Sequence, residues 1–391
     1  MKDLELRLQL FSADVNPINV TTQDSMSPTM KTFYDTTLLE NAREQMVFTQ
    51  FGMKQPMHLA AGHEVAYNQL VINPYDVQAA YNAAQPKCGC GLVVAERKVS
   101  GNNFVAEFDA EGFLTSYIYK GTELLSKPMK PQFYRALTEN DYGVRKNKNN
   151  RHNHDGWKVW RTDAPKLAKF DVKQLENKCV EVKAVYNYEQ TGALVTLTYT
   201  IAHDGTIAVS EHMKAIVAGS DNYTKVKKAP LLSRFGMELA MPAAFDTIEF
   251  YGAGEHETYI DRKSSAKVGL YKQGVDEQFW PFYARPQECG AHCDLRWWRV
   301  ADKAGRGFEV ISDALFQANA LPYPMAQFDI HSKDYRKYAQ RLEKDGNTYV
   351  NIDMAQMGLG CVTSWRSLPR PEYLLHYENT REFKFVLRPL K

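Results

Sequence analysis

Hydrophobic and polar residues alternate one for one over much of this chain. Leu4, Leu6, Leu8 and Leu10 are separated by Glu5, Arg7 and Gln9, the period of two that turns one face of a strand to a core and the other to water. Val180, Val182 and Ala184 alternate with Glu181 and Lys183 in the same way. Residues 194–201 and 206–213 flank His203-Asp204-Gly205, so a hairpin is predicted there. Further strands are predicted over 104–108, 113–119 and 382–387. Helical patterns are few; the best is 334–342, amphipathic through Tyr335, Tyr338 and Leu342.

A boundary is expected near 73–90, where NPYDVQAAYNAAQPKCGC holds turn-forming residues at both ends. From Leu92 onward the alternation runs on without an obvious linker. That implies one β-domain of about 300 residues, larger than a usual single core. Two extended sheets packed face to face reach that size. The basic run 145–151 (RKNKNNR), followed by HNHDG, reads as a solvated loop.

The formal net charge is +2, from 48 basic and 46 acidic residues, which leaves no electrostatic footprint for nucleic acid. No apolar run reaches the length of a transmembrane helix, so no membrane partner is expected. The charged N-terminus lacks the features of an export signal. A natural, full-length chain would therefore be cytoplasmic; for a fragment the location stays open. Six cysteines at this density do not suggest a disulfide scaffold. Cys88 and Cys90 are too close for the usual zinc pair, and Cys289, His292 and Cys293 lack a complete ligand set. No metal and no cofactor is expected.

The candidate chemistry is concentrated in a few polar stretches. In NIDMAQMGLGCVTSW, Trp365 follows a bend at Gly358 and Gly360, where glycine permits φ > 0 and close backbone approach. An indole on such a loop can cover the C–H face of a galactose ring; the alternative is ordinary core packing. Glu139 and Asp141, two apart, would share one face of an extended strand. Their expected role is to order a loop, with Arg135 as ion-pair partner. Asp261-Arg262 and Asp294-Arg296 invite the same reading. Glu255, His256 and Glu257 form a denser polar knot. A histidine beside a glutamate could be an acid–base pair, but sequence neighbours need not face each other, and a structural role is the reading kept. Trp297 and Trp298 should split, one inward and one outward.

Five stretches together resemble the C-terminal portion of large β-galactosidases of glycoside hydrolase family 2, and the small subunit of the two-chain versions. AGHEVAYNQ at 61–69 is similar to the last strand of the immunoglobulin-like domain preceding the final domain. PQFYRALTENDYG at 131–143 resembles the family's Asn-Phe-Trp-Arg-Ala-Pro-Thr-Asp-Asn-Asp motif. FYGAGEHETYIDR at 250–262 resembles the Gly-rich segment ending in Glu-Asn-Tyr-x-Asp-Arg. YARPQECGAHCDLRWW at 283–298, which includes Glu288 and Arg296, resembles the Arg-Pro-Gln-Glu-Asn-Gly segment and the Asp-x-Arg-Trp after it. The Trp365 stretch resembles Asp-x-x-Gln-x-Gly with its downstream Ser-Trp. The departures are Cys289 where Asn is common, Cys361 for Gly, and Thr258 for Asn.

The resemblance implies an all-β fold: a large two-sheet supersandwich like that of galactose mutarotase over 90–391, preceded by a partial immunoglobulin-like segment over 1–80. It implies that Trp365 lines the galactose subsite, while both catalytic carboxylates lie on a (β/α)8 barrel. A barrel needs about 250 residues of strand–helix alternation, and nothing here has that rhythm. No catalytic residue is therefore assigned in this chain. A barrel-bearing chain or missing N-terminal domains are the expected partners, with a β-galactoside as substrate, and assembly with copies of itself stays open. Two alternatives remain. One is a mutarotase-like aldose epimerase using His212 or His256 with a Glu; the other is a free carbohydrate-binding module.

Overall fold

The computed structural model describes residues 4–12, 15–23, 44–53, 59–144, 151–214, 231–360 and 367–390. Alternation along the strands decides the layers. Every second residue of Val180–Tyr188 is buried, and Leu194–Ile201 repeats the rhythm, so each strand presents one apolar row to an opposing layer. Both belong to a nine-stranded sheet whose order is Pro165–Gln174, Val180–Tyr188, Leu194–Ile201, Ile207–Lys214, Arg381–Pro389, Gly307–Ser312, Trp297–Ala301, Thr247–Gly254 and Lys267–Gly274. The expected hairpin pairs Leu194 with Lys214 through to Ile201 with Ile207.

A ten-stranded sheet forms the second layer. Within it Phe316–Leu321, Asn347–Gln356, Arg234–Pro242 and Lys127–Gln132 are consecutive neighbours. Its inward row, including Met237, Leu239, Val350 and Ile352, merges with Val182, Tyr186, Leu197 and Tyr199 in one buried cluster. Phe113 stacks on Tyr186 with ring centroids 4.8 Å apart, tying the two layers. The chain is thus all β in its main architecture, a two-sheet supersandwich. Trp298 is buried and Trp297 half-buried, the split that strand geometry demands.

Ahead of the sandwich, Val15–Gln23, Leu4–Ser12, Gln45–Met53 and Glu64–Asn73 form a four-stranded antiparallel sheet in that order, the immunoglobulin-like segment. It is fastened at several points, among them an ion pair of Glu64 with Lys267 at 2.7 Å. Gln69 exchanges hydrogen bonds of 2.8 and 2.7 Å with the backbone of Val268. Glu44, buried, accepts from Nε and Nη2 of Arg296 at 3.0 and 2.6 Å. Between the segments, helix Val77–Ala84 is capped by Asp76 and packs Ala84 on Ala208, Ile311 and Val386.

Three expectations are corrected, and one cross-link is present that the sequence did not assign. Residues 334–342 do not form a helix; they make turns and one short 3-10 stretch, Ala339–Arg341, with Leu342 packed against a buried cluster and Tyr338 exposed. Arg151, placed in a loop from its polar surroundings, instead begins helix Arg151–Thr162, which Trp157 and Trp160 anchor in the core. Glu139 and Asp141 lie in a short helix, Glu139–Val144, so they diverge rather than share a strand face. Cys88 and Cys179 are joined by a disulfide, a pairing across 91 positions that spacing does not reveal.

Candidate functional site

Three of the family-like stretches meet at residues 357–360, which precede Trp365 in the chain. Trp365 itself, like Cys361, lies outside the described residues. Its approach, residues 357–360, is held from two sides. Arg135, fully buried just beyond strand Lys127–Gln132, donates to the Met357 carbonyl and, at 3.1 Å, to the Gly358 carbonyl. The same guanidinium pairs with Asp141 at 3.2 Å. The turn at Thr138 fixes that carboxylate, because Asp141 also accepts from the Thr138 N–H at 3.0 Å and its hydroxyl at 3.1 Å. Asn140 donates to the Leu359 carbonyl at 3.1 Å.

From the opposite side, Asp261 accepts the N–H groups of Leu359 and Gly360, each at 2.9 Å. Glycine is needed at 358: a Cβ there would lie 2.5 Å from the Asp261 carboxylate. Gly360 has φ +83°, which other residues rarely adopt. Carbonyls bonded by a buried cation and amides bonded by a half-buried anion hold the backbone at 357–360 from both sides.

Beside this segment lies a cavity of about 450 Å³ lined by Glu255, His256, Glu257, Arg262, Trp280 and Tyr283. Glu257 accepts from Arg262 at 3.1 Å, from the Tyr283 hydroxyl, and from the Gly290 N–H at 2.9 Å. With both oxygens so engaged it is a fixed acceptor. His256 turns to the Ser265 hydroxyl, 2.9 Å away. Burial, with the bond to Glu257, pushes the Tyr283 phenol up to about 12. Trp280 is 52% exposed and Phe282 78%, so the cavity mouth carries an aromatic face beside fixed polar groups. Such a surface can take a sugar ring.

A third network sits deeper. Arg234 reaches Glu288 at 2.7 Å and Asp353 at 3.2 Å, all three buried. Burial pushes the Asp353 carboxyl up to about 7; Glu288 adds to this and Arg234 opposes it.

Two paired readings change. Arg296 does not bind the Asp294 carboxylate. It bonds that residue's carbonyl at 2.8 Å and reserves its fork for Glu44, while Lys263 takes the carboxylate at 2.7 Å. Asp261 serves the loop and Arg262 serves Glu257, so these neighbours act apart. His212 and His256 are not brought together: three strands separate Ile207–Lys214 from Thr247–Gly254, the strand before His256. Burial pulls the His292 imidazole down to about 3 and pushes the Cys293 thiol up to about 12. Among the described residues, no three metal-ligating side chains cluster. Sequence reasoning missed Trp280, Phe282, Arg234 and Asp353. The run FWPFY at 279–283 was a signal for the first two, being too aromatic for an ordinary loop.

The family model of the β-galactosidase small chain matches residues 100–387. The chain belongs to the β-galactosidase small chain family. A β-galactosidase of Priestia megaterium is 33% identical over 333 residues, covering 85% of this chain and 30% of that protein. One of Halalkalibacterium halodurans is 29% identical over 357 residues, covering 89% and 33%. The chain thus spans about a third of the length of these curated relatives. Among solved structures, a GalM/aldose epimerase homologue from C. elegans aligns over 77% of this chain and 98% of its own. It does so at 9% identity and a TM-score of 0.36, too low to bear on fold or activity. Small-chain membership makes this a β-rich, non-barrel relative of the family 2 glycosidases.

Proposed function

We propose that this chain is the non-barrel part of a β-galactosidase, with residues 1–80 as an immunoglobulin-like remnant and 90–391 as the supersandwich. It walls one side of the galactose subsite and leaves bond cleavage to a barrel supplied elsewhere. The carrying observation is that Arg135 and Asp261, from two separate family-like stretches, both bond the backbone at 357–360, with Asp141 holding the Arg135 guanidinium in place. That spends buried charge on one loop root, and Trp365 follows within five residues. A fold needing only stability has little use for so specific an arrangement.

In this reading Trp365 stacks on the apolar face of galactose, which adds orientation at small desolvation cost. The test is reconstitution. The chain alone should not hydrolyse an aryl β-galactoside, and adding a barrel-bearing chain should restore turnover. Hydrolysis by the rigorously purified chain alone would overturn the proposal.

A second reading, an aldose epimerase, draws on His256 and Glu257 lining one cavity. Proton transfer at an anomeric hydroxyl needs a free base, and Glu257 is already bonded to three donors. Polarimetry on α-D-galactose decides it: mutarotation faster than buffer, lost in His256→Ala, favours the epimerase.

A further inference from the structure

The outer face of the ten-stranded sheet carries polar groups that the fold does not need. Strand register sets Lys130 opposite Glu238, Glu238 opposite Asn351, and Asn351 opposite Asn319, a single row across four strands. Gln132, Gly236, Asp353 and Gln317 make the next row in the same way. Alternation assigns both rows to the side away from Met237, Leu239, Val350 and Ile352, which fill the core.

Polar residues on an outer face cost nothing while water reaches them. Here it largely does not: Asn319, Gln317, Asp353, Arg234 and Glu288 are all buried. Burial of this much polarity is expensive unless every group is bonded. Asp353 Oδ1 and Gln356 Oε1 have no hydrogen-bond partner among the described residues. Neither of those two residues lines the cavity beside them; the polar groups that do, Arg234, Glu238, Glu288, Asn351 and Lys130, are the ones that point to a ligand.

The segment after Phe316–Leu321 completes the walls. Tyr323, Met325 and Phe328 join Arg234, Glu238, Glu288, Asn351 and Lys130 around a cavity of about 330 Å³. That is the small end of the range of about 300–1,000 Å³ for small-molecule sites.

We propose that this cavity binds one neutral pyranose unit, at a site separate from the surface around residues 357–360. The carboxylates of Glu238 and Glu288 accept from sugar hydroxyls, Lys130 and Arg234 donate, and the Asn351 amide does both. Tyr323 and Phe328 cover the C–H faces. The polar groups are held in advance, since Gln132 donates to Glu238 at 2.6 Å and Asn351 to Asn319 at 2.8 Å. Pre-set donors and acceptors lower the ordering cost of binding. Two carboxylates in the wall work against phosphate or sulfate despite the nearby cations. Burial pushes the Glu238 carboxyl above its ordinary value, against the lowering by Gln132, Arg234 and Lys130.

The test is NMR of the intact chain titrated with D-galactose, D-glucose and lactose, with sodium sulfate as an anion probe. The side-chain amide of Asn351, which lines the cavity, and that of Asn319, bonded to it and to Glu288, are the reporters. A saccharide should move them, and Asn351→Ala should weaken the saccharide's affinity about tenfold. If that variant fails to fold, Lys130→Met at the half-buried edge should show the same direction of change. Amide signals that stay fixed at saturating sugar, or that move only with sulfate, would overturn the site.

Discussion

Asp261 holds Gly360 by the backbone: its carboxylate accepts the Gly360 N–H at 2.9 Å while its other oxygen takes that of Leu359. Removing it leaves two amide donors without their acceptor. Asp261→Ala should therefore cost about 1–3 kcal/mol and speed hydrogen exchange at both amides. Gly358→Ala should do the same by a different route, because its Cβ would press on that carboxylate from 2.5 Å. Full protection of both amides in the two variants would contradict this role.

The pair formed by Arg135 and Asp141 is buried at both ends, 0% and 2% exposed. Breaking one end strands the other, so Arg135→Met should lose about 3–5 kcal/mol in denaturant unfolding. Arg135→Met with Asp141→Leu should lose less than the single variant, since no unpaired charge remains. A double variant worse than the single one would show that the carbonyl bonds to Met357 and Gly358 matter more than the ion pair.

Stability should fall with pH through Asp353. Its folded value, about 7, stands above its ordinary 3.8 because of burial. Between these values the folded chain keeps a proton that the unfolded chain has released. The contribution is complete below the ordinary value and disappears as pH rises through about 7. Chemical denaturation from pH 4 to pH 8 should show that decline, and Asp353→Asn should flatten it. A slope unchanged in the variant would assign the effect to another group.

The disulfide between Cys88 and Cys179 closes a loop spanning 91 positions. Loops of such length gain typically about 2–4 kcal/mol from closure. Cys88→Ser should lower unfolding free energy by that order, whereas Cys90→Ser, an exposed free thiol, should not. Equal effects would point to local packing rather than the cross-link.

The strands were readable in the sequence where one face meets the core and the other meets water, as in Val180–Tyr188 and its neighbour Leu194–Ile201. Period two reports that situation directly. The same logic failed at Arg151–Thr162, whose polar residues outnumber the two tryptophans that decide its packing. It failed again at 334–342, where spacing alone suggested a helix. The pairing of Arg135 with Asp141 was legible because six positions separate the partners. Glu44 with Arg296, 252 positions apart, was not, since only the folded chain brings them together. The polar rows of the ten-stranded sheet were hidden for a related reason. Outward positions look alike in sequence whether water or a cavity covers them.

The claim that the loop root exists to present Trp365 is tested most directly by kinetics of the chain reconstituted with a barrel-bearing partner. Trp365→Ala should cut kcat/KM for an aryl β-galactoside by at least tenfold, about 1.4 kcal/mol, with the chain's unfolding midpoint unchanged. Asp261→Ala should move kcat/KM in the same direction. Unaltered kcat/KM in Trp365→Ala, or a loss matched by equal destabilisation of the fold, would contradict the account.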